Sequence, residues 1–298
     1  VAPSLLDKAR FNQELAMQIN INADIGESYG KFHVGNDAEL MPLIGSANIA
    51  CGMHAGDPTI MVATLKSALA SGVSVGAHPG FNDVWGFGRR QIHMDASDLE
   101  YLVTYQIGAL QALAGMVGAK VTHVKPHGAL NNMAHDDEAY AMAIGRGMRA
   151  ADPDLIYVAN VGSEMMRAGE RLGLRVANEA YVDRTYDDNG KMLSRERADA
   201  VIRDPARAAE QVLRIIEEGA LISLSGRRIP AKVHSFCIHG DEPTAVPVMK
   251  QVRAALHEAG IEVVPLPVLL AKPRLAVAGA PSGVKSSSST RTSAPVLR

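Results

Sequence analysis

Two cysteines, one tryptophan and 4% aromatic residues are few for a chain of 298 residues, and each scarcity removes a class of protein. Cys51 and Cys237 stand beside strand-like runs with no CxxC spacing. A disulfide framework is therefore not expected, and the pair reads as reduced thiols of a cytoplasmic protein. No apolar stretch approaches the roughly 18 residues needed to span a bilayer, and no basic stretch followed by an apolar run opens the chain, so no membrane association is expected. Charge of one sign is also missing: 30 basic residues face 32 acidic ones, for a net charge of −2. With the basic residues dispersed, nothing offers the face that a phosphate backbone needs, and nucleic acid is not an expected partner. Neither a Gly-x4-Gly-Lys-Ser/Thr loop nor a Gly-x-Gly-x-x-Gly turn opening a helix is present, so the usual nucleotide fingerprints are absent.

What is present suits a large buried core: 47% of the residues are hydrophobic and 21% charged,. Residues 1–16 read as an N-terminal extension, with Met17 a candidate original start, and 17–270 as a single catalytic domain. Residues 271–298 read as a disordered tail, Ser/Thr-rich from Lys285 onward and too poor in apolar residues to order itself. Strand-length apolar runs fall at Ile19 to Ala23, Ser46 to Ala50, Val73 to Ala77, Val121 to Lys125, Leu155 to Ala159, Arg175 to Ala180 and His234 to Ile238. An eighth is suggested near Ile261 to Val264. Helical patterns separate them: Pro58 to Ala70, a stripe from Asp95 or Ser97 to Val117 stopped by Gly118, and segments after Asp136, Gly162, Asp204 and Glu242. Gly219 to Val233 is long enough for an extra hairpin.

Repeated β then α units predict a parallel sheet, wound into a barrel or left open. Short polar signatures decide between them. They follow six of the runs: Asn22-Ala23-Asp24, Asn48 to Asp57, Ala77-His78-Pro79-Gly80, Lys125-Pro126-His127-Gly128, Glu179 to Asp183 and His239-Gly240-Asp241. An open sheet gathers its site at one switch point, whereas a barrel collects residues from nearly every strand end. The expected architecture is thus a deformed TIM-like α/β barrel of about seven parallel strands, with an enzyme's mouth.

Asn-Ala-Asp-Ile-Gly-Glu (22–27), Ser-Ala-Asn-Ile-Ala-Cys-Gly-Met-His-Ala-Gly-Asp-Pro (46–58), Gly-Ala-His-Pro-Gly (76–80), Gly-Phe-Gly-Arg-Arg (86–90), Val-Lys-Pro-His-Gly-Ala-Leu (124–130) and Cys-Ile-His-Gly-Asp (237–241) carry a closer likeness. In this order, across roughly Met17 to Leu266, they resemble the LamB/YcsF family. The resemblance implies a barrel akin to the glycoside hydrolase and deacetylase superfamily. It also implies ATP-dependent opening of 5-oxoproline (pyroglutamate) to L-glutamate, with 5-oxoprolinase subunits B and C as partners. ATP with Mg2+ would be a co-substrate, used together with the partner subunits, and no tightly bound cofactor is expected. Ala23, Asn131 and Arg203 depart from the residues common in the family, without removing an ionisable group from the motifs at Ala23 and Asn131.

Ring opening needs a general base for water, a cation for developing negative charge and a clamp for the substrate carboxylate. Base candidates are Asp24, His54, Asp57, His127, His239 and Asp241. Lys125 suits the cation, and Arg89 or Arg90 the clamp. Asn22, Glu27, Asn48, His78, Glu179 and Asp183 complete the expected substrate contacts. A plainer reading accompanies each: Asp24 and Glu27 as loop or cap acids, His78 and His127 as structural histidines in tight turns, Glu179 and Asp183 as rim partners of Arg184, and Cys51 as an inert buried thiol. His33, His93, His123, His135 and His257 are assigned to packing or surface. One rival chemistry places a divalent metal on Asp24, His54, His78, His239 and Asp241 for amide or acetyl hydrolysis. Another is a non-catalytic lactam or carbohydrate binding partner. Self-association is left open.

Overall fold

The structure, a computed structural model, describes residues 17–271. The extension at 1–16 and almost all of the expected tail lie outside the described residues.

Alternation dictates the first strand. In β1 (Gln18–Ile25), Ile19, Ile21, Ala23 and Ile25 are buried among helices, while Asn20, Asn22 and Asp24 occupy the opposite face,. The chain continues through α1 (Asp37–Leu40), β2 (Ser46–Ala50), α2 (Pro58–Ala70), β3 (Ser74–His78), α3 (Ala96–Val117), β4 (Val121–Val124), α4 (Gly128–Asp136) and α5 (Glu138–Ala151). Then follow β5 (Ile156–Asn160), α6 (Glu164–Arg171), β6 (Arg175–Tyr181), α7 (Pro205–Glu218) and the antiparallel hairpin β7 (Ala220–Ile222) and β8 (Arg228–Pro230). β9 (Ser235–Ile238), α8 (Ala245–Glu258), β10 (Glu262–Val263) and α9 (Leu266–Leu269) end the described fold. Side chains of Asp57, Asp137, Ser163 and Asp204 accept from backbone amides at the starts of α2, α5, α6 and α7, and left-handed Gly118 closes α3,.

Strands β1 to β6 pair in order, all parallel, and β9 pairs with both β6 and β1, closing a seven-stranded barrel. The eighth run expected near 261–264 forms β10, which pairs with the first two residues of β1, ahead of the stretch that β2 and β9 use. The hairpin expected in 219–233 is present. Helix α4 was not expected as an element separate from α5; its polar sequence carries too weak an apolar stripe to announce it.

The barrel interior is polar in layers, unlike the branched apolar layers that fill many barrels. Asn20 donates to Ser46 at 2.8 Å and accepts from Ser235 at 2.6 Å, and Ser46 meets Ser74 at 2.7 Å. One layer up, Asn22 donates to Glu179 (2.8 Å) and accepts from Asn48 (2.7 Å), whose own oxygen faces His123 Nε2 at 3.2 Å. Gly76 is required beside that histidine, because a Cβ at 76 would collide with the His123 ring. On the β5 and β6 side a small apolar cluster of Ile156, Val158, Ala177 and Leu266 fills the space instead. Such fully satisfied networks fix register and rotamers beneath whatever stands on top of them. Among the described residues no helix is long and apolar enough to cross a membrane.

Candidate active site

The strand ends and the loops after them enclose a cavity of about 430 Å³. At its floor Asp24 Oδ1 accepts from Lys125 Nζ at 2.8 Å and from Asn48 Nδ2 at 2.9 Å. Lys125 Nζ also lies 2.8 Å from Cys237 Sγ, 3.7 Å from Glu179 Oε1 and 5.5 Å from the centre of the Tyr181 ring. Burial pushes the Asp24 carboxyl up, but His78, Lys125 and His239 more than reverse it and hold it well below the usual range. Burial would likewise lower Lys125, and the Asp24 and Glu179 carboxyls beside it instead hold it well above its ordinary value. Glu179 is raised by burial and by the neighbouring Asp24 charge, against the opposing pull of Lys125. The floor therefore carries one firm ion pair with a second, more easily protonated carboxyl below it.

A second group stands beside it. Glu27 Oε1 lies 3.1 Å from His54 Nε2 and 3.2 Å from His127 Nδ1, while His78 Nε2 is 3.0 Å from His127 Nδ1 and 3.4 Å from Asp24 Oδ2. His54 and His127 stack at 3.7 Å between ring centres. Burial, with His127 adding to it, pushes His54 down to about 3, so this ring is neutral. Burial raises the Glu27 carboxyl, but its close contacts with His127 and His54 bring it below the ordinary carboxylate range. The loop after β3 holds these rings in place: Phe87, with φ +54°, accepts from His127 Nε2 at 2.7 Å through its carbonyl. A positive φ at a bulky residue costs on the order of 1–2 kcal/mol, the kind of local strain that surrounding structure sustains at functional sites. A Cβ on the adjacent Gly88 would come within 2.8 Å of both His54 and His127.

A third unit pairs Asp183 with His239, whose Nδ1 lies 3.0 Å and 3.1 Å from the two carboxylate oxygens. The imidazole stacks on Tyr181 with centres 5.2 Å apart and planes 9° apart, and its edge lines the cavity. Nδ1 carries the proton toward Asp183, which leaves Nε2 as an acceptor for a proton from the cavity. Burial raises Asp183, but His239, Arg184 and Arg195 outweigh it and hold the carboxyl down.

Of the residues expected at the site, Asp24, Glu27, His78, Arg89, Lys125, His127, His239 and Asp241 line this cavity. His54 and Asp183 stand behind the wall, each bonded to a lining side chain or its partner. Asn22, Asn48 and Glu179 lie in or beside the layer beneath the floor, where they orient Asp24 and Lys125 rather than reach the cavity.

Two expectations are corrected. Asp57 is the N-cap of α2: Oδ1 accepts from the amides of Thr59 (2.8 Å) and Ile60 (3.1 Å), and Oδ2 from Gly30 (2.7 Å), which removes it from acid-base work,. Arg90 is 68% exposed, pairs with Asp83 and does not line the cavity, so it clamps no substrate there. Arg89 does line it, but is tied to Asp241 at 2.6 Å. The metal set drawn from sequence is divided as well, since His239 is taken by Asp183 and Asp241 by Arg89; the donors that converge are Glu27, His54, His78 and His127.

Sequence reasoning missed Arg184 and Arg195 as lining groups. Arg184 is buried, donates to the carbonyls of Ala200 and Leu193, and has no carboxylate within ion-pair distance among the described residues. Burial and the nearby Arg195 lower its pKa, though a guanidinium remains charged,. Arg195 is paired with Glu242 at 3.1 Å. No periodicity marks residues 184–201 as a flap over the mouth, because only isolated bridges, Arg184 with Val201 and Tyr186 with Met192, close it.

Both thiols are buried; burial raises Cys51 to about 12 and Cys237 well above the thiol range. Neither is expected to react with a thiol reagent in the native protein at pH 8, with two equivalents appearing only after denaturation. Titration with Ellman's reagent reads this directly, and a thiol that reacts while the protein is folded contradicts it.

Asp37 supplies a pH signature of the rim. Its Oδ2 accepts from the Gly26 amide at 2.8 Å, yet burial, with Glu27 adding to it, raises the carboxyl to about 6. Because the folded-state value lies above the unfolded one, the folded state binds the extra proton, and stability falls as pH rises from about 4 through 6. Asp37→Asn should therefore stabilise the protein at pH 7.5 by about 1–2 kcal/mol, discounted for partial exposure, and do little at pH 4. Thermal melts at the two pH values check the sign.

A seven-stranded parallel barrel with an ionisable mouth defines an α/β enzyme scaffold of the TIM-like kind. Residues 19–271 match the LamB/YcsF family, and the chain belongs to it. It is 49% identical to a protein of Rhodopseudomonas palustris (strain BisB5) named as the A subunit of 5-oxoprolinase, over 84% of this chain and 98% of that one. The protein of the same name from Nitrobacter hamburgensis is 48% identical with the same coverage. The crystal structure of a lactam utilization protein from Thermus thermophilus superposes with a TM-score of 0.79 at 42% identity, over 83% of this chain and 99% of that one.

Proposed function

We propose that the chain is the A component of a multi-subunit 5-oxoprolinase, acting with B and C partners to open 5-oxo-L-proline to L-glutamate at the expense of ATP. The names of the relatives support the general role, and the chemistry of the mouth supports the substrate. A lactam carbonyl is deactivated by amide resonance, so attack by water needs the oxygen converted into a better electron sink. Transfer of a phosphoryl group from ATP to the lactam oxygen does this. Addition of water then gives a tetrahedral carbon, expulsion of the ring nitrogen leaves an acyl phosphate and the free amine, and a second water releases phosphate and glutamate. With no nucleotide fingerprint in the chain, the phosphoryl donor is supplied together with the partner subunits.

His239, oriented by Asp183, takes the proton of the attacking water. Lys125, fixed by Asp24, faces the negative charge that develops at the reacting centre. Arg184 receives the substrate carboxylate. The observation that carries this reading is that last group: a buried guanidinium with no carboxylate partner among the described residues lines the same cavity as Lys125 and His239.

Arg184→Lys keeps the charge but loses the planar fork. In the partner-reconstituted enzyme it should raise KM for 5-oxoproline by about 10- to 100-fold, the worth of a charge-assisted bond, with kcat changed only a few-fold. An unchanged KM removes Arg184 from substrate binding.

A further inference from the structure

Carbonyl oxygens fix the protonation of two histidines in the mouth. His78 Nδ1 lies 2.7 Å from the Lys125 carbonyl and His127 Nε2 lies 2.7 Å from the Phe87 carbonyl. A carbonyl only accepts, so the hydrogen of each neutral ring is on that nitrogen, and the other nitrogen presents a bare lone pair. Those bare nitrogens, His78 Nε2 and His127 Nδ1, point at each other across 3.0 Å. Glu27 Oε1 lies 3.2 Å from His127 Nδ1 and 3.8 Å from His78 Nε2, and Asp24 Oδ2 lies 3.4 Å from His78 Nε2. With both rings neutral, acceptors converge here with no hydrogen between them, so either a proton or a cation is needed to hold them together.

We infer that Glu27, His78 and His127 form a binding site for one divalent transition-metal ion, with its open coordination position facing the cavity. Ligands bonded at about 2.0–2.1 Å lie roughly 3.0–3.4 Å apart around an octahedral or tetrahedral ion, close to the spacing found here for two of the three pairs. Two imidazoles and a carboxylate suit zinc, cobalt, iron or manganese rather than calcium. The backbone carbonyls behind His78 and His127 supply the outer contact that metal-bound histidines require, which fixes the tautomer and turns the donor nitrogen inward.

His54 is a positioning residue in this arrangement. Its Nε2 sits 3.1 Å from Glu27 Oε1 and its Nδ1 is buried without a partner. Placing the ring hydrogen on Nε2, donated to Glu27, leaves only an acceptor unpaired. The donor set shares only His78 with the one expected from the sequence: Asp24, His54, His239 and Asp241 leave it, Glu27 and His127 enter it, and the expectation of no tightly bound cofactor is set aside. It holds whatever the substrate is.

The test is a titration of chelator-treated, dialysed protein with Co2+, read by visible absorption, followed by displacement with Zn2+ read by calorimetry. The wild type should bind one equivalent. His239→Asn should bind equally well, because His239 lies outside the donor set. Glu27→Gln, nearly isosteric, should bind at least about 100-fold more weakly while circular dichroism shows it folded. As a check on unaltered protein, the imidazole nitrogen resonances of His78 Nε2 and His127 Nδ1 should shift on adding Zn2+. Wild-type protein that binds neither ion overturns the inference, and an imidazolium found on His127 in that protein would identify a shared proton as the bridge. Equal binding by Glu27→Gln, or loss of binding in His239→Asn, also overturns it.

Discussion

Lys125→Met is expected to abolish glutamate formation and also to destabilise the protein by about 3–5 kcal/mol, because it leaves the Asp24 carboxylate buried without its cation. Lys125 is 2% exposed and bonded at 2.8 Å to Asp24, so its charge serves the fold as well as the proposed chemistry. The two roles separate in a double variant. Lys125→Met with Asp24→Asn removes both charges, and Asn48 and His78 can still bond the amide at 24. Stability should return to within about 1–2 kcal/mol of wild type, while activity stays absent. Denaturant melts together with the partner-reconstituted assay read both quantities. Activity regained in the double variant would show that Lys125 is structural only.

His239→Asn is expected to lower kcat by about 10²- to 10⁴-fold with little change in KM, the range for losing a general base. Asp183→Asn should fall in the same direction, because an amide at 183 no longer favours the tautomer that keeps Nε2 free to accept. The two losses should not add: once His239 is gone, the group that Asp183 orients is gone too. A double variant about as slow as the slower single variant is the expected result from initial-rate kinetics. Multiplicative losses would mean that Asp183 acts on the reaction by another route.

Much of this was readable from residue order. The run Asn20-Ile21-Asn22-Ala23-Asp24 alternates with period two, so a buried polar face was legible in β1, and the polar signatures after six strands pointed to one shared mouth. Asp57 was misassigned to acid-base work although it stands directly before Pro58 and a helical stripe, which is a cap signal, and the structure uses it as a cap,. What sequence could not supply was partnership. His78, His127 and His239 look alike as residues in a chain, yet their ring orientations give one to Asp183 and turn the other two toward each other. Those orientations depend on carbonyls at Lys125 and Phe87, and on a positive φ at Phe87 that no residue type predicts. Arg184 escaped for a similar reason: its site is built by a loop that returns over the mouth through isolated bridges. The closure of the ring at seven strands also rests on pairing of β9 with both β6 and β1, a contact between distant parts of the chain.

The most direct test of the proposed activity is glutamate release from 5-oxoproline with ATP and Mg2+, comparing the chain alone, the B and C partners alone, and all three together. Glutamate with a matching amount of ADP is expected only when all three are present. Absence of glutamate from the complete mixture, with the same partners active alongside the A component of a known 5-oxoprolinase, would contradict it.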